Sequence, residues 1–312
     1  MNIAIDFGGT KIKIGLVQKG EVVSQTSIPA LSDRGLIRRL SDVESSIRKL
    51  LEEQHISLSD CSGIGIATPG LVDAENKTIL SINDKYSDAV GFSFQAWINE
   101  AFSLPFVFEN DARSALLGEV GYGVAQGETD AVMMTYGTGI GTAVWMNGQI
   151  LRGKHHQAGI LGGHLTTDIH GHVCNCGNRG CLEAQASHWA LPHVAKELPD
   201  FQKSQLSQTE EINYATVLEA AKSGDQTAAH FLEHLISHWS SGILNMVHAY
   251  DPDIVILSGG LMKSQQYLLP HLQERVHQMA WTPWGKVRFA VSKDPESSVL
   301  LGLDYLLETT VS

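Results

Sequence analysis

Cys174-Asn-Cys176-Gly-Asn-Arg-Gly-Cys181 places three thiols within eight residues, on a segment whose two glycines let it bend tightly. Zn²⁺ takes four nitrogen or sulfur ligands in a tetrahedron, and three thiolates on one loop supply most of such a set. His164, His170 and His172 are all close enough along the chain to be the fourth ligand. An ion held by four protein ligands has no open position, so it would brace the loop without meeting substrate. The bland alternative, three small buried hydrophobes, leaves the spacing with its two glycines unexplained. Cys61 stands alone before an apolar strand and reads as core.

Three glycine turns form a second constellation: Asp6-Phe7-Gly8-Gly9-Thr10-Lys11, Gly137-Thr138-Gly139-Ile140-Gly141 and Ser258-Gly259-Gly260-Leu261, each behind an apolar strand. Without a Cβ, successive backbone N–H groups can approach an anion closely and form a concave phosphate site. Neither the Walker pattern nor a full G-x-G-x-x-G after a strand is present, which argues against those folds. One such turn would be an ordinary hairpin; three point to a nucleotide. Asp6 is placed to hold a hydrated Mg²⁺, whose hard charge suits carboxylate oxygens, or else it caps the turn that follows. Asn110-Asp111 separates the strand PFVFE from the helical ARSALLGEV, a good N-cap and equally a position for a carboxylate that takes up a proton.

The elements that must carry these groups are legible from periodicity. Residues 2–28 read as three strands, with Ile3, Ile5 and Phe7 on one face and Ile12, Ile14 and Leu16 following the Gly8-Gly9 turn. Residues 34–54 place Leu36, Leu40, Val43, Ile47, Leu50 and Leu51 at helical spacing, and residues 62–72 form a buried strand ending at Pro69-Gly70. Strand, helix and strand in alternation predict an α/β domain. TYGTGIGTAVWMNGQIL then repeats the layout of the first hairpin: Thr135 lies 129 residues after Asp6, and Gly137 the same distance after Gly8. That echo predicts two domains of similar topology, each presenting a glycine turn to one cleft. Helical stretches near 213–223 and 226–249, a strand at 253–260 and an apolar run at 299–307 complete the pattern.

Composition bounds the function. At 312 residues the chain exceeds what one core usually supports. Its net charge of −12, without a basic cluster, argues against a nucleic-acid partner. Met1 leads directly into a strand with no leader pattern, and no long apolar run suggests a membrane span, so a cytoplasmic protein is expected. Four cysteines, three of them clustered, suit a metal site in a reducing compartment.

The segments DFGGTKI, GIGIATPGLVD, FENDARSALLGE, YGTGIGTAVWMNGQILRG, CNCGNRGCLEAQAS and ILSGGL, in this order from Asp6 to Leu261, resemble the ROK family of the actin-like ATPase superfamily. The resemblance implies two α/β domains of the actin-like, ribonuclease H-like fold with an interdomain cleft: residues 1–112 plus 298–312 on the sugar and phosphate side, and residues 113–297 with the zinc loop and nucleotide site. It implies an ATP-dependent sugar kinase of the glucokinase, N-acetylmannosamine kinase and fructokinase type, dimeric, using Mg²⁺ and a structural Zn²⁺. By the same resemblance Asp111 is the base that accepts the sugar hydroxyl's proton. Asn110, His164, Glu183, Asn83 and Gly70 meet the sugar, and Asp6, Gly8, Gly9, Thr10, Lys11, Gly137, Thr138, Gly139, Gly259 and Gly260 meet the nucleotide and its Mg²⁺. The family has a histidine ten residues before the first cysteine, which selects His164 to join Cys174, Cys176 and Cys181 on zinc.

One departure bears on substrate. Leu161 stands where the family usually has a glutamate that grips the hydroxyls near the anomeric carbon, which weakens a glucose assignment more than a kinase assignment. Three rivals follow. A sugar-responsive repressor of the family would carry a helix-turn-helix ahead of the first strand, where this sequence has Met1 and Asn2. A chaperone or filament ATPase would lack the cysteine loop. A sugar-binding protein without turnover would bind and not phosphorylate.

Overall fold

The computed structural model of the chain describes residues 1–83 and 85–310. It divides into two compact units. The first contains Met1–Gly127, Arg152–Ala158 and residues 292–310; the second contains Glu128–Leu151 and Gly159–Val291.

In the first unit β1 (Asn2–Phe7), β2 (Lys11–Gln18) and β3 (Glu21–Pro29) form an antiparallel meander. After α1 (Leu40–Glu53), β4 (Gly63–Thr68) returns parallel to β1. A small hairpin of β5 (Leu71–Asp73) and β6 (Thr78–Ser81), then α2 (Phe94–Ala101), lead to β7 (Phe106–Asn110), parallel to β4, and α3 (Asp111–Tyr122). The sheet order is β3-β2-β1-β4-β7. Helices cover both faces, so β1, β4 and β7 are buried along their whole length, while the edge strand β3 has no fully buried residue. Alternation sorts the side chains. Ile3, Ile5 and Phe7 pack with Val43, Ile47 and Leu50 of α1, whereas Ala4 and Ala67 pack with Leu300 and Leu303 of the C-terminal helix Ser298–Thr310.

The second unit repeats this topology. β8 (Ala131–Tyr136), β9 (Ile140–Met146) and β10 (Gln149–Ile150) form the meander; α4 (Leu182–Ala186), α5 (Leu191–Lys196), α6 (Tyr214–Lys222) and α7 (Gln226–Tyr250) follow. β11 (Ile254–Gly259) runs parallel to β8 and, after α8 (Gln265–Met279), β12 (Arg288–Val291) runs parallel to β11. The order β10-β9-β8-β11-β12 matches the first sheet strand for strand. The 129-residue echo is therefore one of topology as well as of sequence. Among the described residues no helix is long and apolar enough to cross a membrane.

Two expected boundaries move. A break after residue 112 would cut α3 behind its second residue; α3 instead stays whole in the first unit because it packs on the C-terminal helix. There a Cβ at Gly302 would lie 1.7 Å from the carbonyl oxygen of Ser114, and one at Gly118 would lie 2.1 Å from that of Ser298. Residues 311 and 312, within the expected 298–312 segment, lie outside the described residues. The helix expected from residue 34 begins at Leu40, behind two short 3₁₀ turns broken by Gly35 at φ 96°.

Candidate active site and metal loop

Parallel strands put their carboxyl ends at one edge of a sheet, where ligands of α/β proteins bind. In the first unit the register Asp6↔Ala67 and Thr68↔Asn110 brings the ends of β1, β4 and β7 together. Asn110 fastens them: its Nδ2 donates to the Gly70 carbonyl at 3.0 Å and to Asp111 Oδ1 at 3.0 Å, and its Oδ1 accepts the Arg113 N–H at 3.1 Å as the N-cap of α3. Asp111 Oδ1 also accepts the Ala112 N–H at 2.8 Å.

Both carboxyls at this edge are perturbed. Burial raises the Asp111 pKa, against the lowering pull of the Ala112 N–H, the Lys85 ammonium and the Asn110 amide. Asp6 is pushed up to about 7, first by burial and then by the neighbouring Asp111 charge, with Lys13 opposing. Two carboxyls at one strand edge, both raised by burial and one of them also by the other's charge, suit a proton acceptor beside a cation ligand. Behind them Glu109, fully buried, accepts the Asn110 N–H at 2.9 Å and binds Arg152 Nη2 at 2.5 Å, while the buried Arg113 donates to the carbonyls of His156 and Ala158 at 3.0 Å.

The first glycine turn is gripped from outside its own hairpin. Tyr86 Oη donates to the Gly8 carbonyl and Ser32 Oγ to the Gly9 carbonyl, both at 2.8 Å. Gly8 and Gly9 are half-buried, and Thr10 and Lys11 are exposed. Asn83 is exposed on the loop beyond β6. Tyr86, Ser32 and Lys85 were not legible as site residues. They sit in irregular segments with no periodicity, and their partners are distant in the chain.

In the second unit the register Ser258↔Thr135 and Gly259↔Tyr136 sets the turns at Gly137–Gly139 and Gly259–Gly260 at the same sheet edge. Glu183 closes the first of these: its Oε2 accepts the Ile140 N–H at 2.7 Å and its Oε1 accepts Trp189 Nε1 at 3.2 Å. Thr138 accepts the Trp189 N–H through its carbonyl at 3.1 Å. Glu183 thus positions the glycine turn, with further lone pairs for a ligand.

The ligand atoms of His164, Cys174, Cys176 and Cys181 lie within 4.8 Å of one another. Cys176 and Cys181 sulfurs are 3.6 Å apart, close to the roughly 3.8 Å edge of a tetrahedron with Zn–S bonds of about 2.3 Å. Cys174 Sγ is 3.5 Å from His164 Nδ1, so Nδ1 is the nitrogen turned toward the thiols. Asn178 Nδ2 donates to Cys181 Sγ at 3.4 Å, the outer contact that orients a thiolate ligand. Burial pushes the Cys174 thiol up to about 12 and also raises Cys181. Packing three thiols together is unfavourable for their charged forms unless a cation joins them. Of the open candidates, His172 is turned elsewhere: its nitrogens meet Gln185 Oε1 and Glu197 Oε2, each at 3.0 Å.

The ROK family model matches residues 2–309. A glucokinase of Halalkalibacterium halodurans is 30% identical over 286 residues, covering 89% of this chain and 86% of its own. A ROK hexokinase of Thermus thermophilus superposes with a TM-score of 0.79 at 27% identity, over 99% of both chains. A xylose repressor of Bacillus subtilis is 28% identical over 223 residues, 72% of this chain and 54% of the repressor.

Proposed function

The chain belongs to the ROK family, and from that premise we propose that it is an ATP-dependent sugar kinase acting on a hexose or N-acetylhexosamine at the 6-hydroxyl, with Asp111 as the base. The observation that carries this is the half-buried Asp111 carboxyl, fixed by Asn110 and the Ala112 N–H at the same strand edge as Asp6 and the Gly8-Gly9 turn. The sugar oxygen attacks the γ-phosphorus, the bond from phosphorus to the β,γ-bridging oxygen breaks, and ADP leaves with that electron pair. The hydroxyl proton passes to Asp111. A raised pKa favours this, because a base works best when its affinity for the proton is near the working pH. Asn110 orients the carboxylate through the 3.0 Å bond to Oδ1; with both Nδ2 hydrogens engaged by Gly70 and Asp111, its remaining Oδ1 lone pair is what it offers to a sugar hydroxyl.

Mg²⁺ bound near Asp6 would neutralise phosphate charge. The four donors around His164 fit a structural Zn²⁺ by type, number and spacing. With Nδ1 on the metal, His164 Nε2 is the nitrogen left for a sugar hydroxyl. A homodimer in the cytoplasm is part of the same proposal and rests on family membership. A coupled ADP-release assay across hexoses and N-acylated amino sugars tests it: sugar-dependent ADP release is expected, and its absence with every sugar overturns it. Leu161 and the likeness to xylose repressors favour a second reading, sugar binding with little turnover. Calorimetric binding without ADP release would select it.

A further inference from the structure

Lys85 lies on the loop between β6 and α2, a segment that no motif marks. A Cβ built on Gly9 would fall 2.7 Å from both Cε and Nζ of Lys85, so the ammonium stands directly over the backbone of the first glycine turn. The side chain is half-buried. Among the described residues no carboxylate forms an ion pair with it. Its charge acts on Asp111 without an ion pair to hold it, so a half-buried ammonium is left to meet a negative charge that arrives with a ligand.

The neighbouring backbone holds it there. Tyr86 is fully buried with φ 49°, a left-handed conformation that a bulky residue enters when its surroundings force it. Its N–H donates to the Ser32 carbonyl at 2.8 Å, its hydroxyl donates to the Gly8 carbonyl at 2.8 Å, and its ring meets Phe7 edge-on. Tyr86 and Ser32 therefore occupy the carbonyl side of the Gly8-Gly9 turn, and the donor standing over it is Lys85. The ammonium is also one of the charges that act on Asp111.

We infer that Lys85 contacts the γ-phosphoryl group of the bound nucleotide, with the ammonium over Gly9 neutralising the charge on its oxygens as the group moves toward the hydroxyl held at Asp111. This rests on the kinase reading above. Among this chain's side chains at the first glycine turn, Lys85 supplies a positive charge where phosphoryl transfer needs one.

The test compares wild type with Lys85→Met and Lys85→Arg, each first shown to melt as wild type does; Lys85→Gln replaces the Met variant if that one unfolds. With an accepted sugar, Lys85→Met should lower kcat by about 100-fold, leave the sugar KM within about threefold, and be rescued at least about tenfold in Lys85→Arg. A kcat within about threefold of wild type, or a defect confined to the sugar KM, overturns the inference while leaving the kinase reading intact. If wild type turns over no sugar, the kinase reading fails, and calorimetry with Mg²⁺ then judges Lys85 separately. The inference expects Lys85→Met to weaken AMPPNP binding by about tenfold and ADP binding by less than about threefold. Equal effects on the two nucleotides would sink it.

Discussion

Asn110 donates its side-chain amide to Asp111 Oδ1 at 3.0 Å while its own Oδ1 accepts the Arg113 N–H at 3.1 Å. The residue that caps α3 is thus the one that aims the carboxyl beginning it. Of the two roles that compete for Asn110-Asp111 in the sequence, N-capping falls to Asn110, and the proposed proton acceptance is left to Asp111. Replacing Asp111 by Asn keeps the cap and removes the base, so the variant should fold, bind sugar as wild type does by calorimetry, and lose at least about a thousandfold in kcat. Retained turnover would remove Asp111 from the chemistry.

Asp6 makes stability depend on pH in a stated direction. Its folded pKa of about 7 exceeds the ordinary 3.8, so between those values the folded chain holds a proton that the unfolded chain has lost. The stability this contributes is present in full below 3.8 and is lost as pH rises through about 7. Thermal melting without ligands should therefore show the wild type losing ground to Asp6→Asn between about pH 5 and about pH 8. Asp111, raised in the same direction, remains in both proteins, and because its charge helps to raise Asp6 the difference reports Asp6 together with that coupling.

The strands and the two-fold topology were legible because period-two burial and the glycine turns are local signals, as Ile3, Ile5 and Phe7 illustrate. The cysteine loop was legible for the same reason, its thiols being a few residues apart. Lys85 and Tyr86 were not, because their role comes from reaching Gly9 and Gly8 across about half a unit of intervening chain. Glu183 was expected to face a sugar, and its bonds to Ile140 and Trp189 depend on a fold-level approach that spacing does not encode. The α3 boundary was missed because Gly118 and Gly302 look like ordinary helix-weakening glycines until the two helices are seen to touch.

Zinc should be bound at about one ion per chain and be needed for stability more than for chemistry. Because burial holds Cys174 near 12 and raises Cys181, those thiols carry their protons at neutral pH until metal displaces them. Metal uptake by the stripped protein should accordingly release protons, measurable as calorimetric enthalpies that vary with buffer ionisation heat. Cys176→Ser should abolish stoichiometric zinc and lower the melting temperature. A variant that keeps the ion would assign it to other ligands.

The crossing of α3 and the C-terminal helix offers a test of how packing reaches the chemistry. A Cβ at Gly302 would sit 1.7 Å from the Ser114 carbonyl oxygen, and the obstructing atom is backbone, so a rotamer change cannot relieve the clash. The helices must separate, and overpacking of this kind costs about 1–3 kcal/mol or more. α3 begins at Asp111, so the displacement is transmitted to the carboxyl at its N-terminus. Misplacing a reacting group by about 1 Å can cost on the order of 100-fold in rate. Gly302→Ala should therefore melt several degrees below wild type and, at a temperature where it remains folded, show a kcat lowered by about tenfold or more. Zinc content, held entirely by the second unit, should stay unchanged. Lower stability with an unaltered kcat would mean that the strap of Asn110 to Gly70 and Asp111 fixes the carboxyl independently of the helix behind it.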